Sequence, residues 1–380
     1  MRRLFPSIIA LLMVAGTLSA QTTDNKSTET TKKNREPVGV NLSLWKNMST
    51  QQTDTVGSTC FNLGLFSSMN RLNGVGINLL GSVVYRDMNG VQVTGLANLV
   101  GGSMRGVQIA GISNVNGDNL CGVSLSGLVG ITGNHAQGVI FSGLTNIVGD
   151  NASGVLIGGL LNIVGENLRG VQISGLGNIT GENMQGLQIS GLGNVVGEHF
   201  TGAQVAPFNF AGKGKGVQIG LVNYYKNSFD GFQLGLVNAN PDTKVQLMLF
   251  GGNATKLNVG ARFKNNLFYT ILGSGTHYLD FSDKFSASLF YRAGLELPLY
   301  KQLFISGDLG FQHIENFKNK DYGFPARLYA LQARVNLEYR LNDRLGVFVT
   351  GGYGGSRYYN KGVTYDKGVI VEGGVVLFKY

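Results

Sequence analysis

Five carboxylates, Asp118, Asp150, Glu166, Glu182 and Glu198, fall one or two sixteen-residue steps apart, and Asn98, Asn114, Asn146, Asn162, Asn178 and Asn194 recur on the same step. Carboxylates placed at one repeating position form an acidic edge. Such an edge is either solvated or bridged by hard cations, which favour oxygen ligands. The Gly-Glu-Asn turn here lacks the Gly-Gly-x-Gly-x-Asp pattern of calcium-binding repeats, so the edge reads as solvated turns and no metal is expected. A column of asparagine amides can hydrogen-bond along a stack while satisfying its own turn, which is a structural task. A second amide column, Gln92, Gln108, Gln172, Gln188, Gln204, Gln218 and Gln233, reads as an outward ladder or as a polar face for a glycan.

Little else is arranged for catalysis. His135, His199, His277 and His313 show no metal-ligand spacing. Cys60 and Cys121 fall in repeats four steps apart, about 19 Å along a stack of coils, beyond the ~7 Å reach of a disulfide, so two free thiols are expected. Gly212-Lys-Gly-Lys-Gly216 lacks phosphate-loop spacing and reads as a basic turn. No nucleophile triad or dinucleotide fingerprint can be picked out. The expectation is a protein that is not an enzyme and carries no cofactor; a glycan-active enzyme is the alternative that the acidic edge keeps open.

The elements that position these residues are repeats. Gly74, Gly90, Gly106, Gly122, Gly138, Gly154, Gly170, Gly186 and Gly202 are sixteen residues apart, and the period slips to fourteen at Gly216 and fifteen at Gly231. Counting from each glycine, Val at the second place and Ile at the fourth alternate with Gln and Ser, which predicts a strand burying its apolar face. Leu at the seventh place and Ile or Val at the tenth continue that apolar set. One such unit cannot bury its own face; stacked copies can. Residues 39–241 are therefore predicted to form a parallel, in-register β-solenoid of about thirteen coils spaced about 4.8 Å apart, with hairpins in a wide closed sheet as the alternative. The recurrent Gln, Ser and Asn make these repeats look unlike lipid-facing strands.

From 242 to 380 the repeats stop and aromatic residues become dense. Alternating segments near 244–252, 256–263, 267–277, 284–298, 303–313, 327–340, 345–355 and 368–380 predict eight strands, enough for a small antiparallel barrel. Short connections at 264–266, 300–302 and 341–344 alternate with longer ones at 278–283, 314–326 and 356–367, as in outer-membrane barrels. In that reading Arg292, Glu296, Asp308, Arg334 and Glu338 are charges of the lumen. A soluble sandwich or lipocalin-like barrel is the alternative. The whole chain is all-β in either case.

Composition agrees with export. Of 380 residues 58 are Gly and only 14% are charged, with a net charge of +9, which speaks against an ordinary soluble enzyme. Arg2 and Arg3, an apolar run and Ser19-Ala20 have the order of a secretory signal peptide, residues 1–20, followed by a polar tether, 21–38. An exported cationic chain meets anionic envelope components rather than nucleic acid.

Two resemblances sharpen this. Gly216-Val-Gln-Ile-Gly-Leu-Val-Asn223 and Gly231-Phe-Gln-Leu-Gly-Leu-Val-Asn238 resemble the units of a bacterial surface-repeat family with no established catalytic motif. The ending Gly373-Gly-Val-Val-Leu-Phe-Lys-Tyr380 resembles the C-terminal signal of Gram-negative outer-membrane β-barrels, which implies recognition by the barrel-insertion machinery. Glu372 departs from that pattern by sharing a face with Phe378 and Tyr380. The resulting expectation is an outer-membrane protein, or failing that one of the surface or periplasm. Its barrel anchors a solenoid that binds a glycan or protein, or acts as a spacer. A secreted adhesin-like module with a soluble tail is the alternative.

Overall fold

The structure, a computed structural model, describes residues 39–45, 48–50, 57–277, 286–316, 323, 325–359 and 364–377. The expected signal peptide, tether and final residues Phe378 and Tyr380 lie outside them. The described residues are all-β with no helix, comprising a solenoid of about eleven turns and a closed eight-stranded antiparallel barrel. By contacts the chain divides into two compact units, one ending at Gly202 and one spanning Ala203–Tyr380.

Through most of the first unit a coil contributes a seven-residue strand, such as Leu168–Ser174, and a four-residue strand, such as Gly177–Thr180, with longer strands such as Leu72–Val84 and Gly193–Val205 at its ends. Coils pair in parallel and in register: Gly170 lies opposite Gly154 and Gly186, and Asn178 opposite Asn162 and Asn194. The glycine at the first place is obligatory. Gly138 has φ +127°, and a Cβ built there would lie 2.0 Å from the Gly122 carbonyl oxygen of the previous coil. The turns number about eleven rather than the thirteen expected, and eleven repeat glycines from Gly74 to Gly231 carry this positive φ. The copies starting at Gly39 and Cys60 lack it but still pair in parallel, Val40 opposite Phe61 and Phe61 opposite Val75, and Val40–Trp45 also pairs antiparallel with Met48–Ser49.

The alternation of each strand is real, but its sense is opposite to the expectation. Gln172, Ser174, Asn178 and Thr180 point inward and are buried, whereas Ile173 and Leu176 point outward. The glutamine column is likewise internal, since Gln92, Gln108, Gln172, Gln188, Gln204 and Gln218 are all buried. An outward amide ladder, or a glycan face made of it, is therefore excluded. The premise that these repeats cannot present an apolar exterior falls with it. The interior is completed by Met, Leu, Ala or Phe at the fifteenth place, as in Met104, Leu168, Met184 and Phe200.

In the second unit, strands Phe208–Ile219, Val222–Leu234 and Val237–Ala239 stack in parallel, with Asn209 opposite Asn223 and Asn223 opposite Asn238. Eight antiparallel strands follow: Lys244–Gly252, Leu257–Asn265, Phe268–Thr276, Ser286–Tyr300, Leu303–Asn316, Arg327–Asn342, Leu345–Tyr358 and Thr364–Leu377. The first pairs with the last, from Leu247–Leu377 to Gly252–Glu372, which closes the barrel and leaves no free edge. Tight turns at Asn266 and Lys301 use positive φ of 49° and 44°.

Candidate functional site

The barrel interior is built by period two. In the strand Arg327–Asn342 the side chains of Arg334, Asn336 and Glu338 point inward, while Leu331, Val335 and Leu337 point outward and are exposed. The other seven strands place polar groups inward in the same way. Arg292, Glu296, Asp308, Arg334 and Glu338 are all inside and nearly fully buried. Glu372 joins them at 2% exposure, which accounts for its departure from the apolar pattern of the final strand.

These charges form layers. Toward the short turns, Arg262 Nη1 lies 2.6 Å from Glu338 Oε2 and 3.6 Å from Glu296 Oε2; Arg340 Nη2 lies 2.5 Å from Glu296 Oε1, and Lys264 also pairs with Glu296. Above them, Arg292 Nη2 and Arg334 Nε share Glu372 Oε2 at 3.0 and 3.2 Å. Asp308 is held by neutral donors, the Tyr269 hydroxyl at 3.0 Å and Asn336 Nδ2 at 2.7 Å. Arg262, Lys264, Arg340 and Tyr269 are members that the sequence reading missed. Each shares the inward parity of its strand, and that parity was the available signal.

The layers fill the barrel. Among Met248, Arg262, Tyr269, Arg292, Asp308 and Glu338 the residual space is about 10 Å³, at the lower limit of what a single water needs. Toward the long connections the interior widens into a cavity of about 290 Å³ lined by Asn253, His277, Gln312, Gln332, Ser356 and Ile370. Burial holds the His277 imidazole below the usual histidine range. The barrel is thus filled at the level of the charged layers and opens into a polar cavity toward the long connections.

In the coils, the six asparagines of the ninth place are buried and linked. Asn98 donates to Asn114 at 2.9 Å, Asn146 to Asn162 at 2.8 Å, Asn162 to Asn178 at 2.9 Å and Asn178 to Asn194 at 3.0 Å. Each of these donors also reaches a main-chain carbonyl of the next coil, as Asn162 Nδ2 does to Ile173 O at 2.7 Å. Gly130 interrupts the column, and there Asn114 turns to Ser124 Oγ at 3.0 Å while Ser142 donates to Asn146. The glutamines repeat the device, with Gln188 donating to Gln172 at 2.8 Å.

Asp118, Asp150, Glu166, Glu182 and Glu198 lie on the opposite, water-accessible edge, where consecutive coils join through main-chain bonds such as Glu182 N to Glu166 O at 2.9 Å. No three His, Cys, Asp or Glu side chains converge for a metal among the described residues. Beside the carboxylates runs a ladder that the sequence reading missed. Asn183 donates to Asn167, and Asn167 to Asn151, both at 2.7 Å. His135 and His199 occupy the same column, within 3.2 Å of Asn151 and 2.9 Å of Asn183. Their sixteen-residue spacing was visible in the sequence. Cys60 and Cys121 are free and exposed.

No protein-family model matches the chain, and no curated protein matches it. Among solved structures, a crystal structure of Neisserial surface protein A (NspA) is similar at 12% identity and a TM-score of 0.24, covering 36% of this chain and 93% of that one. Likeness at that level carries no functional weight.

Proposed function

We propose that this is a non-enzymatic envelope protein whose barrel spans an outer membrane and anchors the coils, which serve as a binding or spacer surface. The observation that carries the reading is the inversion of the barrel wall. Leu289, Leu309, Leu331, Val349 and Val369 are outward and exposed, while five cations and four carboxylates are enclosed. A barrel surrounded by water would expose the charges and bury the leucines; one surrounded by lipid does the reverse. Aromatic side chains mark both ends of the wall. Phe268, Tyr300 and Tyr339 lie near the short turns, and Phe311, Tyr329, Tyr353 and Tyr359 near the long connections, as expected of interfacial girdles.

Closure of all eight strands satisfies the backbone without water. Insertion would depend on the barrel-assembly machinery, addressed by the C-terminal aromatic segment. Envelope fractionation with gel mobility before and after boiling tests the reading. Migration that shifts on heating, in the outer-membrane fraction, supports it. A soluble protein with heat-insensitive mobility overturns it in favour of a secreted module with a soluble tail.

A further inference from the structure

In the eight coils that start at Gly74 through Gly186, places two to eleven carry no Asp, Glu, Lys or Arg; every charge of these coils falls at places twelve to sixteen. The fold separates the two sets in space. Outward side chains of the long strands, such as Ile173 and Ile189, and of the short strands, such as Leu99 and Val195, are apolar and exposed on the two opposite sheet faces. Between the faces, the corner is a row of exposed leucines and one isoleucine, Leu96, Ile112, Leu128, Leu144, Leu160 and Leu176. The carboxylates and the outer asparagine ladder occupy the far edge.

The backbone at this corner needs no water. Leu176 N bonds to Leu160 O at 2.9 Å and Gly177 N to the same oxygen at 3.0 Å. The carbonyl of Ile173 accepts from buried Asn162. Internal satisfaction of this kind is what hydrocarbon demands and water does not. A protein partner would cover one face. Here both faces and the corner that joins them are apolar, as for an object wrapped by acyl chains.

The strand ends at place five, as in Leu168–Ser174, and Leu176 at place seven sits in the bend that follows; from place two to place five the strand advances about 10 Å at ~3.3 Å per residue. With the corner leucine beyond it, that apolar part fits within one leaflet of a hydrocarbon core about 30 Å thick.

The second unit supplies an independent observation. Its last coil lies on the outer wall of the barrel: the Tyr291 hydroxyl donates to Gly235 O at 2.8 Å, and Asn265, at a short turn, donates to Asn238 O. Outward-pointing Thr270, on the strand between them, is buried. A coil of this chemistry therefore occupies the wall surface that the proposed function assigns to lipid.

We infer that the coils are themselves membrane-embedded, with their Leu corner and flanking faces in the hydrocarbon of one leaflet and their acidic, asparagine-rich edge in water. This rests on the barrel spanning that membrane. The test uses the full chain with Cys60→Ser and Cys121→Ser, reconstituted in phosphatidylcholine vesicles, and single cysteines at Leu176→Cys, Glu182→Cys and, on the barrel wall, Val335→Cys. Each is labelled with a small fluorophore and examined with lipids brominated along the acyl chain. A membrane-impermeant maleimide measures water access to the unlabelled thiols.

The inference expects bromolipid quenching at positions 176 and 335 but not 182, and maleimide reaction at 176 at least about tenfold slower than at 182, because the reactive thiolate is disfavoured in an apolar setting. Quenching at 335 without quenching at 176 overturns the inference and leaves the barrel reading intact. In that case slow maleimide reaction at 176 would mean that a protein, such as a second copy, covers the corner. Absence of quenching at both 176 and 335 overturns both readings.

Discussion

The side-chain amide of Asn162 donates to Asn178 one coil later at 2.9 Å and to Ile173 O at 2.7 Å, while its oxygen accepts from Asn146 at 2.8 Å. With a further contact to Leu156 O at 3.3 Å, one fully buried side chain thus closes four hydrogen bonds inside the stack. Asn162→Leu would take the donor away from buried Asn178 Oδ1 and leave one N–H of Asn146 without its acceptor. At about 1–3 kcal/mol for each stranded group, the expected loss is roughly 2–5 kcal/mol, measured as a lower thermal midpoint of the coils by circular dichroism. An unchanged midpoint would mean that the ladder is incidental.

Gly138→Ala and Gly351→Ala form a matched pair. At Gly138 the added methyl meets the Gly122 carbonyl at 2.0 Å and the backbone has φ +127°; at Gly351 nothing lies within 4 Å. The first should cost at least about 1–3 kcal/mol in backbone strain alone, and the second should be close to neutral. Comparison of urea midpoints distinguishes them, and equal midpoints would contradict the register of the stack.

Glu372 is the shared carboxylate of Arg292 and Arg334. Glu372→Gln leaves two buried guanidinium groups facing each other, a loss of about 3–5 kcal/mol by analogy with other broken buried pairs. The barrel should then unfold at a lower temperature in gel-shift melting. The double variant R292M/R334M in the E372Q background should recover much of the loss, because it removes the uncompensated charge rather than restoring the pair.

The filled charged layer predicts that the protein does not conduct. Purified protein in planar bilayers should give no steady channel steps at moderate voltage, since the residual space at that level is about 10 Å³. Stable open channels would show that the side chains there rearrange.

Much of this architecture was legible in the sequence, and the part that was not has one physical cause. The glycine period announced the coils because only glycine fits where one backbone rests on the next, and the alternation from 244 onward announced eight strands. Period two, however, says which residues share a face and is silent on which face is inside. Ile173 and Gln172 alternate equally well either way, and the rule that apolar residues turn inward assumes water outside. The buried glutamines beside exposed isoleucines show that rule failing in the coils. Parity was enough to place Arg262, Lys264 and Arg340 inside, but their partners Glu296 and Glu338 come from strands far away in sequence, which parity does not reveal.

The most direct measurement uses two neighbours of opposite parity. Leu331 points outward at 60% exposure, and Gln332 lines the interior cavity. With single cysteines at each, labelled with the same fluorophore in vesicles containing acyl-chain-brominated lipid, the account predicts strong quenching at 331 and little at 332. Equal fluorescence at the two positions, or quenching at 332 alone, would contradict it.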